Sequence, residues 1–511
     1  MLRLVPALVA LAALHAVAAE ISATNAAIAV QDDSGAKSAA GTVFVVVDPA
    51  SVKGPVKPMN AVNNGPSLRG RGAPRQESRI GRFVAYRNAR FPMARFHDAS
   101  WLPPGHVCDI NCVFPDSEAD ENDPASYDFT LTDWLLDSTR RAGTEIFYRL
   151  GNNAEPSLKS YGNADPPADP LKWARIAEHI IRHYNEGWGW TNEKVPFENQ
   201  FRIRYWEIWN EADLGCPSSY WTKPTEYWRG KPRFWNGSPE RFFAFYATVA
   251  KYLKSVFPDL KIGGPAAAGN HAWCDKFLAH CRAQDVPLDF FSWHVYADTV
   301  EAVVRKGDAM KRLLDKHGYG GAESILNEWN WNLGWYGAAF RASAAARTEA
   351  NNSHTAAFCA SVMCAMQDSP AAMLMYYDAR VPTHYNGIFS YPMQRPLKGW
   401  YAFYAWSKLR DMGTQVAAEC RGAAEAGVRA VAAKGRSGAV ALFVARYLKS
   451  PVAQDSRAVR ISVRGRSMSA ARCHLTDEFS QYTETPFELL PDGSAEIDLE
   501  PDSFALFEID P

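Results

Sequence analysis

Arg204-Tyr205-Trp206-Glu207-Ile208-Trp209-Asn210-Glu211 and, farther along, Ser324-Ile325-Leu326-Asn327-Glu328-Trp329-Asn330 are two apolar, aromatic-rich runs that each lead into an Asn-Glu pair. A strand that leads into a carboxylate aims that acid at whatever lies beyond its end. Working outward, apolar runs suited to buried parallel strands fall at 56–63, 93–98, 145–151, 203–210, 261–265, 290–296, 324–328 and 373–378. Helical patterns fit between them. Leu131, Trp134 and Leu135 predict one buried face, ended by Gly143. Trp173, Ile176, Ala177, Ile180, Ile181 and Tyr184 predict another. Ser238-Pro239 reads as an N-cap with proline at the first helical position, opening a helix whose stripe is Phe242, Phe245, Tyr246, Val249 and Leu253. Val300, Val303, Val304, Leu313 and Leu314 mark a further one. The expected class is α/β, a (β/α)8 TIM barrel. An open doubly wound sheet shows the same alternation, but more often with a Gly-rich phosphate loop after its first strand, and none is found.

Beyond Trp406 the pattern changes to short alternating runs at 428–433, 439–444, 458–463, 495–499 and 504–509, which predict an accessory β-sandwich. Residues 42–48 form a lone β-rich run ahead of the barrel. A single strand is not stable alone, so it is expected to join the C-terminal sheet. The expected division is a signal peptide over 1–19, an N-terminal segment over 20–55 that lends its strand to the sandwich, the catalytic barrel over 56–405 and the sandwich over 406–511. The leader reading rests on Arg3, the apolar stretch 4–14 and Ala16-Val17-Ala18, a small-x-small cleavage pattern. It predicts a secreted or periplasmic protein, with no membrane span after the leader.

The 511 residues carry a net charge of −1 and no long basic run, so nothing points to nucleic acid. Export permits disulfides, and the nine cysteines offer the close pairs Cys108/Cys112, Cys274/Cys281 and Cys359/Cys364 as possible bridges. The absence of a CxxC pair argues against zinc. The chain has 17 Trp and 21 Tyr. Most are expected in the core, and only those on loops near the two acids suggest flat faces on which a sugar stacks.

The segment 206–214, Trp-Glu-Ile-Trp-Asn-Glu-Ala-Asp-Leu, resembles the acid/base motif of the retaining glycosidases of clan A, nearest to glycoside hydrolase family 39, which includes β-xylosidases and α-L-iduronidases. Ala94-Arg95-Phe96-His97, Ser292-Trp293-His294-Val295-Tyr296 and Pro396-Leu397-Lys398-Gly399-Trp400-Tyr401-Ala402-Phe403 resemble other segments of that family. The resemblance implies double displacement, with Glu328 as nucleophile and Glu211 as general acid and then base. Their carboxyls should stand about 5–5.5 Å apart, and the charge of one should disfavour ionisation of the other. It also implies that Asn210 bonds the sugar 2-hydroxyl and that Tyr296 bonds the nucleophile. Charge-assisted hydrogen bonds from Arg95 are expected either to hold Glu328 ionised or to form an ordinary barrel salt bridge. His97 and His294 are expected to line the site. Strict alternation points Glu207, Trp209 and Glu211 the same way, which makes Glu207 a buried partner deeper in the barrel.

Aromatics on the loops after the acids offer a sugar-stacking wall: Trp221 within Tyr220-Trp221, then Tyr227-Trp228 and Phe234-Trp235 after Glu211, and Trp329, Trp331 and Trp335 after Glu328. The clan usually carries a tryptophan at the end of the eighth strand. Here Tyr376-Tyr377-Asp378 stands there, a departure that leaves the platform unassigned, and Tyr377 is expected to contact the substrate. A β-xyloside is the first expectation for substrate, with an α-L-iduronide or another glycoside as alternatives, and neither metal nor organic cofactor is implied. A carbohydrate-binding protein without turnover, or a transglycosylase, could use the same scaffold, and the sequence does not fix the oligomeric state.

Overall fold

The computed structural model describes residues 41–66, 81–96, 107–152, 164–193, 195, 197, 201–214, 234–334, 352–380, 387–390, 394–450 and 456–511. The leader, His97, Trp221, Tyr227-Trp228 and Trp335 lie outside them.

Eight parallel strands close into a barrel in chain order: β2 (Ala61–Asn63), β3 (Met93–Arg95), β4 (Glu145–Leu150), β5 (Tyr205–Ile208), β6 (Lys261–Ala267), β7 (Phe290–Ala297), β8 (Glu323–Trp331) and β9 (Ala371–Tyr376). The pairing of Ala61 with Met375 and of Val62 with Tyr376 shuts the ring. Outside it run α1 (Gly81–Ala89), α2 (Ile110–Val113), α3 (Thr130–Arg141), α4 (Pro170–Glu186), α5 (Pro239–Val256), α6 (His271–Ala283), α7 (Val300–Lys316), α8 (Ser353–Gln367) and α9 (Lys398–Met412). Helix α5 starts as its sequence directs, with the Ser238 hydroxyl accepting from the Arg241 amide and Pro239 beside it. Its stripe from Phe242 to Leu253 and the α4 stripe from Trp173 to Tyr184 are buried. In α3 the buried face is rotated from the expected one. Leu131 is exposed, while Thr132, Leu135, Leu136 and Thr139 face inward, because the helix docks through small hydroxyl residues as well as leucine.

The barrel interior is stacked in layers. Ala61, Met93, Phe147, Tyr205, Phe290, Ile325, Met373 and Met375 form an apolar plug at the N-terminal end. Two residues farther along each strand, the alternation of side chains brings a second inward set. It comprises Asn63, Arg95, Arg149, Glu207, Ser292 and Asn327, all buried. The chain thus replaces apolar filling by hydrogen-bonding groups one layer below the C-terminal mouth of the barrel.

The remaining strands form one curled sheet: β1 (Val43–Pro55), β10 (Thr414–Arg421), β11 (Val428–Lys434), β12 (Val440–Arg446), β13 (Arg457–Val463), β14 (Ala471–Thr476), β15 (Thr483–Glu484), β16 (Glu488–Leu489), β17 (Ala495–Leu499) and β18 (Ser503–Ile509). Their order is β15-β14-β18-β12-β11-β10-β1-β13-β17-β16. Strand β1 lies antiparallel to β10 and parallel to β13. The sandwich is therefore a single continuous sheet curled over a shared core that includes Val45, Leu442, Ile461 and Phe507. Its outer face, through Phe443, Phe504 and Leu506, joins the core that includes α8 and α9, with Trp406 edge-on to Phe443.

The eight described cysteines are free thiols, so the three close pairs form no bridges. Cys274/Cys281 and Cys359/Cys364 each share one helix. Seven or five residues of helical rise separate their Cα atoms by about 10 or 7.5 Å, too far for a disulfide. Among the described residues no helix is long and apolar enough to cross a membrane.

Candidate active site

Glu211 and Glu328 converge at the C-terminal mouth. One oxygen from each and a ring nitrogen of His294 all lie within 4.8 Å of one another. Two departures from regular strand geometry bring them there. Strand β5 ends at Ile208, after which Trp209 and Glu211 adopt left-handed backbone conformations (φ 72° and 48°). Simple alternation therefore fails at this point. Trp209 turns out of the barrel, edge-on to Trp235 and Phe245, and donates its indole N–H to the Phe234 carbonyl. Glu211 swings over the mouth, with its backbone N–H on the Ala266 carbonyl of β6 at 2.9 Å.

The second departure lies between β7 and β8. Trp293 pairs with Leu326, but His294 pairs with Glu328, so Asn327 is the extra residue of a bulge. Neighbours that would otherwise face opposite ways both point inward. Asn327 donates its side-chain amide to Glu207, while Glu328 accepts from the Tyr296 hydroxyl at 2.6 Å and from Arg95 Nη1 at 3.2 Å.

Arg95 is the hub below the acids. Its Nε donates to Glu207 Oε2 at 2.6 Å, its Nη1 reaches Asn63 Oδ1 at 3.2 Å as well as Glu328, and its Nη2 holds Asn210 Oδ1 at 2.5 Å. Glu207 also accepts from Ser292 Oγ at 2.5 Å. Burial opposes the charge on Arg95, yet Glu207 and Glu328 more than offset it and its pKa is raised. The guanidinium therefore stays charged and divides itself between a structural carboxylate and the expected nucleophile.

Burial raises the Glu328 carboxyl above its ordinary value. The nearby Glu211 charge adds to this, while His294, Arg95 and the Tyr296 hydrogen bond oppose it. Two close carboxylates share protons as a pair. Arg95 and Tyr296 both donate to Glu328, which favours the charge there. His294 bridges the two, its Nδ1 2.8 Å from Glu211 Oε1 and 3.6 Å from Glu328 Oε2. Burial lowers the His294 pKa, so its ring is neutral near pH 7 and can exchange hydrogen-bond roles with Glu211. Burial also raises the Tyr296 hydroxyl well above its ordinary value, with the Glu328 charge adding to it, which keeps this donor protonated. Glu211, His294 and Glu328 have the donor types of a metal trio. Both oxygens of Glu328, however, already face Arg95 and Tyr296, an arrangement suited to proton chemistry rather than to a cation.

The loop bearing Glu211 is pinned by Asp213, whose carboxylate accepts the backbone N–H groups of Ala268, Gly269 and Asn270 at 2.7–2.9 Å. Asn270 in turn caps α6. Sequence reasoning assigned no role to Asp213, Asn63, Ser292 or Asn327, and kept Glu207 out of the catalytic set. Their signal was the two-residue step from each plug residue, together with an aspartate two positions after the acid.

Several expected sugar contacts sit elsewhere. Trp329 is fully buried between β8 and the helices, edge-on to Tyr376 and tilted on Phe358. The bulge has shifted the inward-outward alternation, so Trp329 cannot present a face to a sugar. Trp331 donates to the Tyr447 hydroxyl at the sheet interface, and Phe234 and Trp235 are packed into the outer layer. Tyr377 is also buried, and its hydroxyl accepts from Arg380 at 2.8 Å. Arg380 further pairs with the buried Asp378, to which Asn64 donates. His97 and Trp221 fall outside the described residues.

The comparisons with known proteins agree with this architecture. The stretch matched to curated relatives spans about a third of their length. It is 27% identical over 200 residues to a β-xylosidase of Geobacillus stearothermophilus, covering 38% of this chain and 35% of the relative. An α-1,4-L-rhamnosidase of Formosa agariphila is 27% identical over 186 residues, 33% of each chain. Among solved structures, a glucosidase from Croceicoccus marinus superposes with TM-score 0.68 at 20% identity, covering 92% of this chain and 99% of that one. The family 39 enzyme from Xanthomonas axonopodis pv. citri gives 0.64 at 17% identity, covering 94% and 99%. The family model described as glycosyl hydrolases family 39 matches residues 83–375, more than half of the sequence and nearly all of the barrel, and the chain belongs to that family.

Proposed function

We propose that the protein is a retaining glycoside hydrolase in which Glu328 is the nucleophile and Glu211 the acid/base. The observation that carries this reading is the approach of their carboxylate oxygens to within 4.8 Å. Retention needs carboxyls about 5–5.5 Å apart, whereas inversion needs about 6.5–9.5 Å to admit a water. In the first step Glu328 attacks the anomeric carbon as Glu211 gives its proton to the departing oxygen. Glycosylation removes the charge of Glu328, so the now ionised Glu211 takes a proton from an incoming water as its oxygen bonds the anomeric carbon, the bond to Glu328 breaks and its carboxylate is restored. Arg95 and Tyr296 hold the attacking carboxylate, and Arg95 fixes the Asn210 amide beside the reacting sugar.

A β-xyloside is the proposed substrate, supported by two β-xylosidase relatives. The rhamnosidase relative makes an L-rhamnoside the second reading. NMR of the first product released from aryl β-xyloside and aryl α-L-rhamnoside decides both sugar and stereochemistry. A retained anomer supports the mechanism, and an inverted one overturns it. Export through the leader is proposed on Arg3 and the apolar stretch that follows, and N-terminal sequencing of the mature protein tests it.

A further inference from the structure

The reacting groups occupy the C-terminal end of the barrel, and the opposite end carries a groove that no step of the proposed reaction uses. A cavity of about 1020 Å³ lies between α1 and α9, over the starts of β3 and β4. Arg87, Arg90, Arg141, Lys408 and Arg410 line it, against the carboxylates of Glu145 and Asp411. A second cavity of about 390 Å³ shares Gly143 and Glu145 with the first and adds Arg140, Arg202 and Arg204. The two meet as one basic strip across the starts of β3, β4 and β5.

Among the described residues the carboxylates lining the groove are fewer than the cations. Asp411 pairs with Arg90, and Glu145 pairs with Arg204 at 3.2 Å. Arg140 and Arg141 both reach the carboxylate of Asp137. Among the described residues Arg87, Arg202 and Lys408 form no ion pair, and Arg87 and Arg202 are exposed. Burial pushes the Arg410 pKa down; Asp411 and, less strongly, Glu145 oppose this, while the neighbouring Arg90 charge adds to the push. Such crowding of cations is unfavourable unless an anion relieves it. It is also local, since the whole chain is close to neutral at −1. Guanidinium groups match carboxylate and sulfate oxygens in two-pronged geometry, and a strip of them suits a ligand with anions repeated along its length.

We propose that this groove binds an anionic polysaccharide strand, carboxylated or sulfated, at the end of the barrel remote from Glu211 and Glu328. The preference for a polysaccharide over a nucleic acid rests on the glycosidase reading and on the absence of an overall positive charge.

Affinity electrophoresis in gels containing polygalacturonate, dextran sulfate, neutral xylan or duplex DNA tests it, and the first two arms separate the carboxylate from the sulfate source. The expected result is retardation by at least one anionic polysaccharide, none by xylan, and loss of the effect as salt screens the groove. The variant Arg87→Ser/Arg141→Ser/Lys408→Ser should bind about tenfold more weakly while turning over a small aryl glycoside at the unaltered rate. Arg87→Glu alone, at an exposed helix position, repeats the test should the triple variant fold poorly. No retardation by either anionic polysaccharide, undiminished binding by the variants, or tighter binding to DNA would overturn the proposal. Binding is read without turnover, so a protein that hydrolyses nothing still gives an answer here.

Discussion

His294 on β7 stands in register with Glu328 on β8, one residue beyond the position that the ladder below prescribes. The skipped residue, Asn327, fills the gap by reaching down to Glu207. This single bulge presents two consecutive polar residues to the barrel interior and sets the height at which the nucleophile meets its partners.

Asn327→Val should damage both layers. It removes a donor from the buried Glu207 carboxylate, which costs about 1–3 kcal/mol. It also frees Glu328 from its bulged setting. Urea denaturation should show that loss, and kcat should fall by roughly a hundredfold with little change in KM, since a misaligned nucleophile weakens the transition state more than binding. Unaltered kcat would mean that the bulge holds without its side chain.

Glu328→Gln should abolish turnover and yet stabilise the protein at neutral pH. Burial raises the native carboxyl above its unfolded value. Below the ordinary glutamate range both states are protonated and nothing is lost. As pH rises from that range through the native value, the unfolded state releases its proton first, so stability falls. A neutral carboxamide escapes this. Calorimetry should show a Tm roughly 1–3 °C higher than the unaltered protein at pH 7, with the difference shrinking towards pH 4. A lower Tm at pH 7 would show that the Arg95 pairing outweighs the burial penalty.

Glu207→Gln leaves the shape of the polar layer intact but releases the charge of Arg95 towards Glu328. The nucleophile should then ionise more readily, and the acid limb of the kcat/KM profile should move to lower pH. Glu207→Ala removes the partner altogether from a fully buried guanidinium and should cost about 3–5 kcal/mol of stability. An unchanged acid limb in the Gln variant would separate Glu207 from the chemistry.

Asp213→Ala unties three backbone amides from the loop beyond the acid. Hydrogen exchange at Ala268, Gly269 and Asn270 should quicken, and kcat should drop about tenfold as Glu211 loses its fixed position. Exchange that stays slow would show that the Glu211–Ala266 backbone bond suffices alone.

What was legible in the chain was its periodicity. The stripe of α5, its Ser238-Pro239 start and the alternation of strands with helices follow from spacing and local hydrogen bonding, and the barrel follows from them. What was illegible depended on exceptions to periodicity. Nothing in a tryptophan announces the left-handed backbone at Trp209, and the bulge that turned Trp329 towards the helices shows only when two strands are laid side by side. Leu131 misled because the α3 surface is filled by small hydroxyl residues that hydropathy does not mark. Strands β10 and β14 escaped notice because Thr-Gln-Val-Ala-Ala-Glu-Cys-Arg and Ala-Arg-Cys-His-Leu-Thr carry little β-branched or aromatic content. The polar ring under the mouth was readable in principle, since each member stands two places after a residue of the apolar plug.

The seating of β1 between β10 and β13 has a consequence for biosynthesis. This strand leaves the ribosome early, yet its first neighbour, β10, follows about 360 residues later. At ordinary translation speeds that is a wait of roughly 20–70 s with a valine-rich edge unpaired. Pairing of β1 with β10 thus waits until every barrel strand has been synthesised. It joins the two extremities of the described chain, and holdase chaperones have their longest opportunity to act on the nascent polypeptide during that interval.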